Sequence, residues 1–85
     1  MKNTPENIAQ LKNALKKLHP EQIRYLERLY FLIQQYKADR DRICFATTRG
    51  LIRGYLAALY QMEIIDTSDA QILYLKYAEG ILMSI

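Results

Sequence analysis

Apolar residues return along this chain at helical rather than strand spacing. Ile8, Leu11, Leu15 and Leu18 recur every three or four positions, while Asn7, Lys12, Asn13, Lys16 and Lys17 fall away from that line. Thr4 is placed to cap the segment, Pro5 suits the first helical position, and Glu6 opposes the positive end of the helix dipole. His19-Pro20 ends it, because a residue before proline is pushed out of the α region. A first helix is expected over 5–18, after a flexible start at 1–4.

Pro20-Glu21-Gln22 opens a second helical stretch, and no glycine or proline follows until Gly50. Ile23, Leu26, Leu29, Tyr30, Ile33 and Tyr36 mark its buried face. Residues 34–42 are almost wholly polar but contain no turn residue stronger than Asp. The expectation is a central helix over 20–63 that either continues through this stretch or is a helix pair broken near 37–41. Unbroken, it would be roughly 64 Å long at ~1.5 Å per residue.

Wound at about 100° per residue, the segment from Ile43 to Gln61 separates into three faces. Cys44, Thr48, Leu51, Tyr55, Leu59 and Met62, widened by Ile52 and Leu56, form the expected core face. Ala46, Thr47, Gly50, Gly54, Ala57 and Ala58 form a flank of small residues where another backbone can approach closely. Arg42, Arg49, Arg53 and Tyr60 fall within about 40° of one another, expected opposite the core. Each glycine inside a helix costs about 1 kcal/mol relative to alanine. The flank is therefore expected to pack against something, inside one bundle or at a partner.

Asp66-Thr67-Ser68-Asp69 is a polar turn in which Asp66, or else Ser68 with Gln71, caps a last helix expected over 67–83. Ile72, Leu73, Tyr74, Leu75, Tyr77, Ala78, Ile81 and Leu82 make that helix apolar around most of its circumference. So little polar surface argues that it is covered, and a short chain has little to cover it with, which favours self-association. No segment alternates at period two, so no strand is expected.

Composition narrows the chemistry. The 85 residues include 3 Gly, 2 Pro and 51% apolar side chains, which suits a single helical domain over 1–85 and excludes a low-complexity or multi-domain chain. The net charge is +3, with four basic residues against one acidic in 1–19 and one basic against three acidic in 66–85. Opposite ends of that kind suit packing of the first helix on the last, or of two chains. A single cysteine, Cys44, forms no internal disulfide and points to a reducing, cytoplasmic location. No apolar run is long enough to span a membrane. The only histidine, His19, sits at a helix end; no nucleophile–base pair, metal-ligand set or phosphate-binding loop is present. The expected protein is not an enzyme and carries no cofactor or metal.

Two classes of partner remain. Arg42, Arg49 and Arg53 with Tyr60 form a candidate ridge for nucleic-acid phosphates or a protein surface. Residues 42–61 also thread onto a helix-turn-helix pattern, but the would-be reading helix offers only Arg53, Tyr55 and Gln61 as polar groups, and an uninterrupted helix explains them more economically. The stretch from Arg49 to Glu79, with its Arg-Gly-Tyr-Leu-x-x-Leu segment and acidic helix start, resembles a helical hairpin of small bacterial and phage proteins. In those the intervening turn carries glycine; here it is Glu63-Ile64-Ile65. The resemblance implies a bacterial or mobile-element origin and no activity.

The sequence thus predicts an all-α bundle of three to four helices: a short first helix, a long central one that is either continuous or kinked, and a C-terminal helix folded back as a hairpin. Leu26, Leu29, Ile33, Leu51, Tyr55, Leu59, Leu73, Tyr77 and Ile81 are its expected core. The expected function is protein–protein interaction or regulation by a homodimer acting on a further protein, with nucleic-acid binding as the alternative. Gly50, Gly54, Ala57, Tyr74 and Tyr77 are the candidate helix-packing and self-association residues.

Overall fold

The computed structural model describes residues 4–81 as four helices: α1 (Pro5–Lys16), α2 (Pro20–Ala38), α3 (Arg42–Gln61) and α4 (Thr67–Tyr77). The architecture is an all-α bundle with no strand among the described residues. Residues 1–3 of the expected flexible start, and 82–83 of the expected last helix, lie outside the described residues.

Every helix begins where a side chain takes over a backbone N–H that the helix cannot satisfy. Thr4 Oγ1 accepts from the Asn7 amide at 3.2 Å. His19 caps α2, its Nδ1 accepting from the Glu21 amide at 3.2 Å while Gln22 Oε1 accepts from the His19 amide at 2.8 Å. Asp41 accepts from the Cys44 amide at 3.1 Å, and these α3 amides hold its carboxyl below the ordinary range. At α4, Asp66 accepts from the Asp69 amide at 2.8 Å and Asp69 accepts from the Asp66 amide at 3.0 Å.

Of the two forms expected for residues 20–63, the chain takes the helix pair, α2 and α3, with the turn at 39–41. Arg40 adopts φ +56°, its amide donates to Lys37 O, and the Asp41 amide donates to Tyr36 O at 2.9 Å. Glu63 closes α3 in the same way at φ +61°, with its own amide on Tyr60 O and that of Ile64 on Leu59 O, both at 3.0 Å. Both are Schellman ends built on a residue other than glycine. α4 stops at Tyr77 rather than 83, and Gly80, at φ +71°, turns the chain against Tyr30 and Gln34 of α2.

α2 and α3 form a helical hairpin whose Tyr25 and Tyr55 rings meet at 4.7 Å between centroids. α4 lies among the other three, packing on α1, α3 and α2. Its circumference is thereby covered within one chain: Ile72, Leu73, Tyr77 and Ala78 are buried and Ala70, Tyr74 and Leu75 half-buried. The excess of apolar surface on the last helix therefore gives no support to self-association. Leu11, Ala14 and Leu18 from the first segment, and Leu26, Leu29 and Ile33 from α2, complete the core around it.

Candidate functional site

The buried line of α3 runs through Thr48, Ile52, Leu56 and Leu59. It is rotated by roughly 60° from the face expected at 100° per residue. Leu51 is 49% exposed and Met62 60% exposed, while Cys44 and Tyr55 are half-buried. Ile81, also expected in the core, is half-buried at its edge. The rotation follows from α3 having two neighbours, α2 and α4, at different azimuths: the neighbours, not the most apolar direction of the helix, select what is buried.

One consequence is that the arginines lie on a flank, about a quarter-turn from the buried line, rather than opposite it. Arg49 turns onto α4. Its Nη2 donates to Tyr74 Oη at 3.1 Å and pairs with the Glu79 carboxylate, and its guanidinium lies over the Phe45 ring at 5.6 Å. Arg53 Nη2 donates to the same phenol oxygen at 3.2 Å, with its guanidinium 5.2 Å from the Tyr74 ring centroid. Arg42 and Tyr60 remain exposed. The expected row of four is therefore divided: Arg49 and Arg53 are joined through Tyr74, and Arg42 and Tyr60 stand at opposite ends of α3.

The other consequence concerns the small residues. Ala46, Thr47, Gly50, Gly54, Ala57 and Ala58 are all exposed, on the side of α3 opposite the core. A Cβ placed on Gly50 or Gly54 would meet nothing within 4 Å. Neither glycine is needed for packing inside the bundle. Tyr77, grouped with them on sequence, is 3% exposed and packs inside its own chain.

Elsewhere the polar groups hold the fold. Lys17 Nζ reaches Asp69 at 2.5 Å and Asp66 at 3.7 Å, fastening the end of α1 to the start of α4. The hydrogen bond to Asp69 raises the Lys17 pKa, and the Asp69 amide lowers that of Asp66. Asp69 is itself buried, so Lys17 is its necessary counter-charge. The Cys44 thiol is pushed up by Asp41 and by burial, away from a reactive thiolate. No three His, Cys, Asp or Glu among the described residues could hold a metal ion. No helix among them is long and apolar enough to cross a membrane.

Tyr74 and Glu79 are the partners of Arg49 that the sequence did not disclose. Glu79 lies 30 positions from Arg49 with no periodic relation to it, so only the fold brings them together. The Lys17–Asp69 clip did leave a trace, in the basic first and acidic last segments. Comparison with family models, with curated proteins and with solved structures finds no match to this chain.

Proposed function

We propose that this is a non-enzymatic helical interaction protein that pairs with a second copy of itself through the outer face of α3. Gly50 and Gly54 carry the reading. They cost about 1 kcal/mol each in a helix interior, a Cβ on either would meet no other element, and a partner backbone passing across them would offset that cost. The face is also self-complementary. Gly50 and Gly54, Thr47 and Ala57, Ala46 and Ala58, and Ile43 and Gln61 are equidistant from Ile52. A two-fold axis at mid-helix sets each small residue of one antiparallel copy against a small counterpart in the other, with Ile43 against Gln61 at the ends. The stripe itself carries no charge, and exposed Ile43, Leu51 and Met62 border it with apolar surface. A stable pair needs about 800 Å² from each partner, which a helix of about 30 Å supplies when its flanks take part.

The pair would act on a further protein in a reducing, cytoplasmic setting, which the single Cys44 suits. The nucleic-acid alternative draws less support, because Arg49 already holds Glu79 and Arg42 stands two turns away from it. Sedimentation velocity tests the reading. The expected result is a dimer at micromolar concentration that persists in high salt, weakens in Gly50→Ala/Gly54→Ala and is lost in Gly54→Leu. The alanine variant should meanwhile melt higher, by about 1 kcal/mol per site. A chain that stays monomeric up to millimolar concentration overturns the proposal.

A further inference from the structure

The groove between α3 and α4 holds an arrangement that packing alone does not require. Two guanidiniums converge on one phenol oxygen, Tyr74 Oη, at 3.1 and 3.2 Å. Like charges so placed need compensation, yet the cluster contains one carboxylate, Glu79, and it pairs with Arg49. Arg53 has no ion pair among the described residues, which leaves the cluster one positive charge in excess. Arg49 Nε is buried without a hydrogen-bond partner. Of the Nε–Nη2 edge, which forms a two-pronged fork for carboxylates, Nη2 is in use and Nε is buried from solvent while Glu79 holds its place.

The surroundings are uncharged. On one side of Arg53 and Tyr74 lies a depression of about 350 Å³ walled by Leu56, Ala70 and Leu75. On the other is one of about 230 Å³ beside Ala46 and Gly50. A cationic centre beside one apolar hollow, with Arg49, Arg53 and Tyr74 themselves lining the other, matches an acidic side chain with an apolar neighbour. It does not match a polyanion, which needs a row of cations.

We propose that this groove is a docking site for an acidic, apolar-flanked segment of a partner protein, whose carboxylate binds Arg53 and Arg49, and that Glu79 is an internal competitor for it. Glu79 sits beyond the last turn of α4, so its side chain can leave Arg49 without unwinding the helix. The site lies on the flank of α3 and takes in Ala46 and Gly50 at the edge of the outer face, so binding is measured below the concentration at which copies pair.

The test is fluorescence anisotropy with a labelled peptide of repeated Leu-Glu pairs, its Leu-Gln counterpart and a labelled oligothymidine. The Leu-Glu peptide is expected to bind and the Leu-Gln peptide not. Glu79→Gln should tighten binding about threefold, the scale of releasing a surface ion pair, and Arg53→Gln should weaken it by at least as much. In the unaltered chain, the side-chain Nε–H resonances of Arg49 and Arg53 should shift as the Leu-Glu peptide is added. Equal binding of the two peptides, preference for the oligonucleotide, no gain in a folded Glu79→Gln variant, or unmoved arginine resonances would each overturn the proposal. Because the readout is peptide binding rather than sedimentation, its failure leaves the pairing of α3 untouched.

Discussion

α3 and α4 use apolar residues in opposite ways. α4 is apolar almost all round, and three neighbouring helices cover it, so nearly every side chain past its first turn has a partner in the same chain. α3 is nearly twice as long and buries a single line, Thr48, Ile52, Leu56 and Leu59, while its far side presents small, uncharged residues to solvent. Burial depends on where a helix stands in the bundle as much as on its own composition. The helix that looks too greasy for a monomer is satisfied, and the one that looks conventionally amphipathic has surface to spare.

Mutation of equivalent leucines is the most severe test of that contrast. Leu73 is fully buried at the centre of α4, so Leu73→Ala should cost about 2–5 kcal/mol through lost burial and the cavity left behind. Leu51→Ala on α3 should stay within about 0.5 kcal/mol for the monomer. Chemical denaturation of both variants at a concentration below pairing measures the difference; equal losses would remove the distinction between the helices.

Alkaline titration probes α4 next. Burial, with a smaller contribution from the Glu27 charge, pushes the Tyr77 hydroxyl up to about 12. A pKa raised in the folded state means that the native chain holds the proton more tightly than the unfolded one. That stability is complete below pH ~10 and disappears as pH rises towards 12, about 2–3 kcal/mol in all. Unfolding followed by circular dichroism between pH 9 and 12 should show the decline, and Tyr77→Phe should flatten it. An unchanged slope in the variant would place the hydroxyl in water.

The smallest effect sits at the two turns that flank α3. Glu63 and Arg40 both occupy left-handed backbone at helix ends, a conformation that glycine adopts without penalty. Glu63→Gly and Arg40→Gly should each stabilise the fold by about 1 kcal/mol, read as a rise in melting temperature. A fall would mean that the side chains, rather than the backbone turns, hold these ends.

Those two residues also explain where the chain was hard to read. A Schellman end is visible in a sequence when glycine marks it. With arginine at 40 and glutamate at 63 the signal is missing, and a polar helix and a sharp turn look alike over residues 34–42. At Glu63 the backbone is left-handed, the conformation for which glycine is the usual signal. At the arginine cluster, local spacing could place Arg49 and Arg53 on one side of a helix. It carried no information on Tyr74 and Glu79, which arrive from another helix.

Local chemistry was sufficient for the helical class, for the caps at Thr4, Asp66 and the His19-Pro20 boundary, and for the buried face of α2, since these rest on contacts within a few residues of one another. The azimuth of α3, the covering of α4 and the capture of Arg49 by Glu79 were settled by assembly. Each depends on which surfaces meet across the bundle, and a periodic pattern along one helix holds no record of where its neighbours will stand.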